Sequence, residues 1–203
     1  MNLVSLQHKL KQLSWPMVLF TMLVFSLLIK LGFWQSDRAL EKEQRQQRIS
    51  ELSQQQALTL TQVLALRDLP DGINDLPIEL DGVFVEDKVF LLDNQPDEGR
   101  LGYRVYQVMT TNDYAVLVNL GWVQGSIDRN VLPAVTAMTG QYVITGHVRE
   151  VEVGMQLQAQ NLANPSWPLR VQQIELDKFS PLITKKLLPF VVYLDKTEAI
   201  GYK

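Results

Sequence analysis

The sequence lacks cysteine and has few histidines, and each absence excludes a class of chemistry. None of the 203 residues is Cys, which excludes disulfide bonds, thiolate catalysis and cysteine-ligated metal sites. His8 and His147 are the only histidines, too few for a histidine-rich metal centre. The lack of Cys does not assign a compartment, because a chain without thiols survives in reducing and oxidising surroundings alike.

Catalytic and nucleic-acid-binding signatures are also lacking. The sequence has no G-x-x-x-x-G-K-[ST], no H-E-x-x-H and no G-x-S-x-G motif. Ser126 and His147 would form a hydrolase triad with an aspartate only if the fold brought them together, and His147 is more typical of a packed or surface strand residue. The net charge of -3 gives no sign of the basic patch that binds nucleic acid. We therefore expect neither an enzyme nor a nucleic-acid partner.

One long apolar run is present near the N-terminus. Pro16 to Trp34 is about 19 residues, enough at about 1.5 Å per residue to span a bilayer's hydrocarbon core. Lys30 is its only charge, and Trp15 and Trp34 bracket the run like an aromatic belt. The bulky residues after it do not suit a signal-peptide cleavage site. The pattern predicts a short tail over residues 1–14 and a transmembrane helix over residues 15–34.

Charges around this run bear on its orientation. Lys9 and Lys11 precede the run, whereas the basic residues after it are Arg38, Lys42, Arg45 and Arg48. Counted by the positive-inside rule, these charges favour a cytoplasmic C-terminal flank. Charge alone therefore leans against export of the rest of the chain.

A polar helix is expected directly after the apolar run, over residues 35–57. This segment is rich in Gln, Glu, Arg and Leu, which are good helix formers, and Glu41 precedes Arg45 by one turn in the favourable order. Trp34, Arg38 and Lys42 recur every four residues and therefore line one face. The residues alone favour an interfacial anchor followed by a solvated helix.

Residues 58–203 are expected to form an extramembrane β-rich domain. A short helix is predicted at Leu60–Leu66, and the run Val116–Val118 is typical of a strand covered on both faces. The spacing of strands predicts an antiparallel sheet or small barrel with short helices, a mainly β fold attached to the N-terminal transmembrane helix. The expected strands are Ile78–Val85, Lys88–Leu92, Tyr103–Met109, Tyr114–Val123, Tyr142–Arg149 and one near Phe190–Leu194.

The connections between these strands are predicted from turn residues. VFVEDKVF is interpreted as a hairpin with Asp87 in its turn, and DNQPDEGRLG, from Asp93 to Gly102, as a loop. Three prolines predict irregular structure around Trp167; they are Pro165, Pro168 and Pro181.

Several motifs, in order along the chain, resemble those of a known family. LGFWQSDRALEK resembles the L-G-x-W-Q-x-x-R-x-x-x-K signature that follows the first membrane helix in the surfeit locus protein 1 family, assembly factors for haem-copper cytochrome c oxidase. The matching residues are Gly32, Trp34, Gln35, Arg38 and Lys42. Downstream, GVFVEDKVFLLDNQ, GYRVYQVM, AVLVNLGWV, GHVRE, NPSWPLRVQQIELDKFS and LLPFVVYLD are similar to the family's strands and its W-P-x-R-V-Q stretch. The resemblance runs from about Leu31 to Asp195.

The resemblance implies a function and a location. A bacterial member of this family has its N-terminus in the cytoplasm and its body on the periplasmic face of the inner membrane, opposite to the orientation that the charges favour. It assists the delivery or insertion of haem a into subunit I of cytochrome c oxidase, binds subunit I or its assembly intermediates, and performs no catalytic turnover. The alternatives are a tethered periplasmic scaffold without cofactor and, as a lesser one, a tethered hydrolase.

The cofactor implied by the resemblance is haem a, but its ligand is not carried over. Family members end with a second transmembrane helix that holds the histidine implicated in haem binding, and we expect this helix to be absent from this chain. His147 is not at a matching position, so the haem ligand is unknown. Arginine can donate two hydrogen bonds to a haem propionate. The candidate docking or haem-edge contacts are Trp34, Gln35, Arg38, Tyr103, Asn119, Trp122 and Arg170.

Overall fold

The chain divides into two units: residues 1–48, whose described part is helical, and residues 49–203, here called the β-rich unit. The computed structural model describes residues 14–52, 55–69, 72–151, 162, 165–195 and 197–202. The predicted N-terminal tail lies outside these residues, apart from Ser14. Each unit has its own internal packing and is described by itself.

Helix α1, Trp15–Leu52, contains the apolar run and most of the polar segment without a break. Its apolar part has a mean hydropathy of 2.1 with none of that window buried, and it is the one helix in the described part of the chain long and apolar enough to cross a membrane. Phe20 and Phe25 are 66% and 64% exposed. A helix that exposes such side chains all round needs an apolar medium around it. The predicted division at residues 34 and 35 stays a prediction.

The β-rich unit begins with a short strand and a capped helix. Strand β1, Leu58–Thr59, leads directly into helix α2, Leu60–Leu66, which confirms the predicted short helix. Thr59 Oγ1 accepts a hydrogen bond from the Gln62 backbone N–H, and Gln62 Oε1 accepts one from the Thr59 N–H at 2.8 Å. This capping box satisfies backbone donors that the helix itself leaves unpaired.

The long strands pair in a closed ring. They are β2 (Pro77–Asp97), β3 (Arg100–Thr110), β4 (Tyr114–Gln124), β5 (Gly140–Glu150) and β7 (Lys186–Leu194). Short strand β6 (Leu169–Val171) pairs with β2 beyond the part of β2 that pairs with β5. β2 pairs with β5 and β3, β3 with β4, β4 with β7, and β7 with β5. The fold is therefore mainly β and closes as a small barrel.

The prediction was an antiparallel sheet or a small barrel. The structure has the barrel, and one pair of its ring, β4 and β7, runs parallel. A parallel pair needs a long connection, and the chain between β4 and β7 includes all of β5. The spacing of strands along the sequence carries no information on which strands pair, so the direction of this pair was not predictable from it.

The predicted hairpin at Asp87 is also wrong. β2 is a single strand of 21 residues, and its register against β3 shifts between Phe84 and Val89. Buried Gln107 of β3 donates hydrogen bonds from its side-chain amide to the Val85 carbonyl at 3.0 Å and the Met138 carbonyl at 2.8 Å. A β-bulge whose carbonyl finds a partner in this way bends the strand without reversing it.

The hairpin between β2 and β3 turns instead at Glu98 and Gly99, with φ values of 46° and 77°. Most of the predicted Asp93–Gly102 loop is therefore strand. Its turn-type residues coincide with a second register shift, between Leu92 and Gln95, where Asn94 has a φ of 58°. Asn and Gly tolerate this left-handed backbone conformation, so they mark an irregular strand as well as they mark a loop.

Two apolar clusters lie on opposite sides of the barrel wall. The inner cluster draws side chains from every strand of the ring and fills the barrel, as small barrels require. The outer cluster contains Leu117 of β4 and is covered by Leu169, Phe179 and Ile183 from the segment after β5. Val116, Leu117 and Val118 are fully buried, which confirms the prediction of a strand covered on both faces.

The covering segment contains helix α3, Leu176–Phe179, and a single 3₁₀ turn, Ser180–Leu182. Residues 165–168 form neither helix nor strand, as predicted around Trp167. The Trp167 ring packs edge-on against Phe90 at 5.1 Å between centroids and carries the Lys88 ammonium 4.5 Å above it. The prolines therefore sit in a segment whose side chains complete the outer cluster.

Candidate functional site

The signature residues on α1 are exposed. Trp34 is 56% exposed, and Arg38 pairs through its guanidinium with Glu41 at 3.3 Å, with both side chains 65% exposed. An exposed ion pair of this kind contributes little stability, so Arg38 can exchange Glu41 for another anion at small cost. Gln35 is exposed on the adjacent face. These residues can therefore contact lipid headgroups or a partner, and their role in docking stays a prediction.

The candidate contacts in the β-rich unit differ in exposure. Tyr103 and Asn119 are 4% and 3% exposed, Tyr103 in the inner cluster and Asn119 on the outer face of β4. Arg170 is exposed on β6 and donates a hydrogen bond to the Arg129 carbonyl at 2.9 Å. The burial of Tyr103 and Asn119 favours a structural role for these two side chains. Their contact with a partner stays a prediction.

The Trp122 ring packs closely against a glycine. Its indole N–H donates to the Gln95 carbonyl at 2.8 Å, and the Arg100 guanidinium carbon lies 5.5 Å from its ring centroid. A Cβ on Gly102 would lie 2.5 Å from two atoms of the indole ring. The G-Y and G-W motifs therefore encode one packing unit, in which Gly102 makes room for Trp122 and Trp122 holds the end of β2.

Gly121, the residue before Trp122, is needed for a different reason. Its φ of 115° is a backbone conformation that other residues rarely adopt, and a Cβ there would collide with the Tyr202 carbonyl. The Tyr202 N–H donates to the Leu120 carbonyl at 2.6 Å. Gly121 therefore allows the C-terminal residues to lie against β4.

A row of polar side chains crosses the outer face of the barrel. In strand register, Tyr106 of β3 lies opposite Asn119 of β4, Asn119 opposite Tyr193 of β7, and Tyr193 opposite His147 of β5. Directly opposed residues project from the same face of a sheet. The Tyr106 and Tyr193 hydroxyl oxygens are 3.3 Å apart, and the His147 ring stacks on Tyr193 at 5.5 Å between centroids.

Two atoms of this polar row have no hydrogen-bond partner within the described residues, Asn119 Nδ2 and His147 Nδ1. Asn119 Oδ1 accepts a hydrogen bond from the Gly121 N–H at 2.9 Å, which fixes the orientation of the amide. The His147 Nδ1 atom lies 3.8 Å from Asp195 Oδ1. Buried unsatisfied polar atoms are uncommon in folded proteins, so the row is the least satisfied place in the described interior.

The titration of Tyr106 follows from this burial. Burial raises the pKa of the Tyr106 hydroxyl well above its ordinary value, and the neighbouring Tyr193 hydroxyl adds to the rise. Arg104 and the Asn119 amide lower that pKa in part, although the Asn119 nitrogen is not in hydrogen-bond geometry with the hydroxyl. Tyr106 is therefore a neutral hydrogen-bonding group at physiological pH.

No arrangement for hydrolysis or metal binding is found among the described residues. Ser126 Oγ accepts a hydrogen bond from the Asp128 backbone N–H at 3.2 Å, whereas His147 lies beside Asp195 and Tyr193. No group of three His, Asp or Glu side chains there is placed to hold a metal ion. The polar row offers hydrogen-bonding groups but no nucleophile next to a base.

The comparison with known families decides the affiliation of the chain. The model of the SURF1 family matches residues 22–203, which covers the apolar part of α1 from Met22 onward and the whole barrel. The chain belongs to the SURF1 family. This family is known for cytochrome oxidase assembly, and its members are assembly factors, associated with membranes, rather than known enzymes. A search of curated proteins found no match.

Sequence reasoning named Asn119 and His147 of this SURF1-family chain separately, but it did not predict the polar row. Tyr106, Tyr193 and His147 lie far apart along the sequence, and only strand register brings them together. One signal was present: each is a polar interruption of a hydrophobic run, in RVYQV, VVYLD and TGHV. Such an interruption indicates a strand face that is buried yet polar, but it does not indicate which residues of other strands lie beside it.

Proposed function

We propose that this SURF1-family protein is anchored in a bacterial inner membrane by α1, with its barrel on the periplasmic side, and assists haem a delivery to or insertion into subunit I of cytochrome c oxidase. The observation that carries the proposal is the family match over residues 22–203, because it includes most of the apolar run of α1 and the whole barrel. The exposure of the apolar helix supports the anchor.

The residues present do not fit a haem ligand set. His147 is the only histidine in the described residues, its Nδ1 atom is buried beside Asp195, and its ring is covered by Tyr193. The barrel interior is filled by apolar side chains. We therefore assign no haem-binding step to these residues, and the proposed action is to hold an assembly intermediate of subunit I at the membrane surface.

The residues that would make this contact lie at the end of the apolar run and just beyond it. Trp34, Gln35 and Arg38 are exposed on α1, where a tryptophan suits the headgroup region and an arginine can donate two hydrogen bonds to a carboxylate. Subunit I is a membrane protein, so a contact at this depth is within its reach. The candidate contact surface is therefore the end of the anchor, where Arg38 can leave Glu41 and pair with a carboxylate of the partner.

The test is affinity purification of the tagged full-length protein from membranes, comparing the wild type with Arg38→Ala. We expect the variant to recover roughly tenfold less subunit I, the loss of one charge-assisted hydrogen-bonded contact. Arg48→Ala, exposed on the same helix, is the matched control and should recover as much as the wild type. Equal recovery with Arg38→Ala would count against the contact.

The misfit with haem favours a second candidate, a scaffold that captures subunit I without any cofactor. The two are separated by repeating the purification from a strain unable to make haem a. Undiminished capture supports the scaffold, and capture that requires haem a supports a role in its delivery. Protease digestion of spheroplasts tests the orientation, because a periplasmic barrel is degraded from outside whereas the orientation favoured by the flanking charges protects it.

A further inference from the structure

Three exposed apolar side chains lie at one end of the barrel. Leu101 of β3 and Val131 in the loop after β4 are 57% and 55% exposed, and Ile127 in the same loop is completely exposed. The backbone joins the two segments, because the Gly125 N–H donates to the Leu101 carbonyl at 3.1 Å. Leu101, Ile127 and Val131 are here called the apolar tip. An isoleucine with no covering neighbour is stabilised wherever it can leave water.

Two arginines beside the apolar tip have no carboxylate partner among the described residues. Arg129 donates from its guanidinium to Asn94 Oδ1 at 2.7 Å, and Arg170 of β6 donates to the Arg129 carbonyl at 2.9 Å. Both arginine side chains are exposed. A guanidinium bound only to neutral acceptors keeps donors for an anion, and phosphate oxygens match its planar fork. The apolar tip therefore lies beside two groups that are suited to phosphate.

Carboxylates are also present at this end of the barrel. They are Asp93, Asp97, Glu98 and Asp128. Glu98 pairs with Arg100 at 3.2 Å, and Asp128 Oδ1 accepts hydrogen bonds from Asn130. Together with the arginines, these carboxylates bring the charge of this end close to zero, so anionic lipids are not required for an interaction. The phosphate group of any phospholipid supplies acceptors for the guanidiniums.

A second pair of exposed apolar side chains has different surroundings. Val83 of β2 and Val143 of β5 are 46% and 59% exposed, and Asp81 lies opposite Val143 in strand register. Glu79 projects from the same face of β2, two residues before Asp81. Carboxylates repel lipid phosphates, and the described strand pairs of this patch include no basic residue. The arginines therefore distinguish the apolar tip as the surface that suits a phospholipid.

We propose that the apolar tip docks on the surface of the bilayer that holds α1, with Ile127 buried below the lipid headgroups and Arg129 and Arg170 donating to lipid phosphates. This inference rests on α1 being the membrane anchor of the proposed function. The polar part of α1, residues 35–52, is about 27 Å long at about 1.5 Å per residue, so the tether keeps the bilayer within reach of the barrel. Docking limits the rotation of the barrel on its tether.

The test uses the full-length protein in phosphatidylcholine nanodiscs that contain a lipid with a nitroxide on its headgroup. Because the chain has no cysteine, Ser126→Cys, next to Ile127, introduces a single attachment site for a fluorescent label. Asp113→Cys is the control, because Asp113 is exposed in the turn at the other end of β3 and β4, roughly 30 Å away along these strands. We expect the nitroxide to quench the label at residue 126 and to leave the label at residue 113 unquenched.

Further substitutions in the Ser126→Cys protein identify the groups responsible. Ile127→Ser should lower the ratio of docked to undocked protein roughly tenfold, through the lost transfer of the isoleucine out of water. Arg129→Gln should lower the same ratio roughly two- to tenfold, the contribution of one hydrogen-bonded contact. Val143→Ser removes an equally accessible apolar side chain far from the label and should leave the quenching unchanged.

The outcomes separate the docking from the anchor. Failure of the protein to enter the nanodiscs would contradict the anchor and the docking together. If the protein enters them but the label at residue 126 is quenched no more than the label at residue 113, the docking is overturned, the anchor stands, and a protein partner is favoured for the apolar tip. Quenching that persists undiminished in Ile127→Ser also overturns the docking.

Discussion

Gly102 and Trp122 show how single residues of the family signature act. The indole of Trp122 lies over Gly102 and donates to the Gln95 carbonyl, so it ties β4 to the irregular end of β2. This places Trp122 in the packing of the barrel, where it is half-buried. The Val123 carbonyl also confines Gly102, so removing the Trp122 ring alone would not make room for a side chain there.

Gly102→Ala should destabilise the barrel. The added Cβ would lie 2.5 Å from the Trp122 ring and against the Val123 carbonyl, and backbone cannot move aside cheaply. Overpacking of this kind costs about 1–3 kcal/mol, measurable by urea unfolding. Gly99→Asn is the control, because asparagine tolerates the left-handed turn conformation and no atom lies within 4 Å of a Cβ there. Equal losses for both variants would contradict this reading of Gly102.

Tyr106 should make stability fall in alkaline solution. Because burial raises the pKa of Tyr106 in the folded state, the unfolded chain releases this proton first as the pH rises. The stabilisation that protonated Tyr106 gives the folded state is complete below about pH 10, the ordinary pKa of tyrosine. Above that pH it is lost by up to about 1.4 kcal/mol per pH unit.

Urea unfolding between pH 8 and 11 tests this, with the wild type compared with Tyr106→Phe. We expect the two free energies of unfolding to converge as the pH rises, because the variant has no phenol to ionise at this position. Tyr142→Phe, half-buried beside Phe84, is the control for removing a phenol. Parallel pH profiles for the wild type and Tyr106→Phe would show that Tyr106 is not the responsible group.

At the scale of elements, periodicity located most strands but not their ends or partners. The apolar run of α1, helix α2 and the doubly buried β4 follow from residue patterns that depend on near neighbours alone. The β-bulge in β2 depends on Gln107, and the parallel pairing of β4 depends on β7, both distant in sequence. For the same reason, the exposed residues of α1 could be nominated from the sequence, whereas the polar row required strand register.

A charge introduced into α1 should weaken membrane attachment only when it falls within the apolar run. Leu23→Glu places a carboxylate near the middle of the apolar run, which costs about 3 kcal/mol in membrane insertion. Leu40→Glu is the matched control on the same helix, beyond the run, and Leu40 is as exposed as the apolar residues. Carbonate extraction of membranes should release part of the Leu23→Glu protein and leave the Leu40→Glu protein in the pellet. Release of both in equal amounts would contradict a membrane span confined to the apolar run.

At the scale of the whole molecule, the apolar run of α1 and the barrel belong to different units. All strands of the closed ring, the capped helix α2 and both apolar clusters lie within residues 49–203. A closed barrel has no unpaired sheet edge that would need α1 to cover it.

Residues 49–203 should therefore fold without the remainder of α1, yet fail in the cell. We expect this fragment to remain in the supernatant after ultracentrifugation and to unfold cooperatively in urea, because its core is complete. In a strain deleted for the gene it should not restore cytochrome oxidase activity. Fusion of the fragment to an unrelated transmembrane helix then separates two roles of α1. Rescue by this fusion shows that α1 serves only as a tether. Rescue only when residues 34–48 are retained shows that Trp34, Gln35 and Arg38 make a required contact. The second result is the one expected from their exposure on the helix.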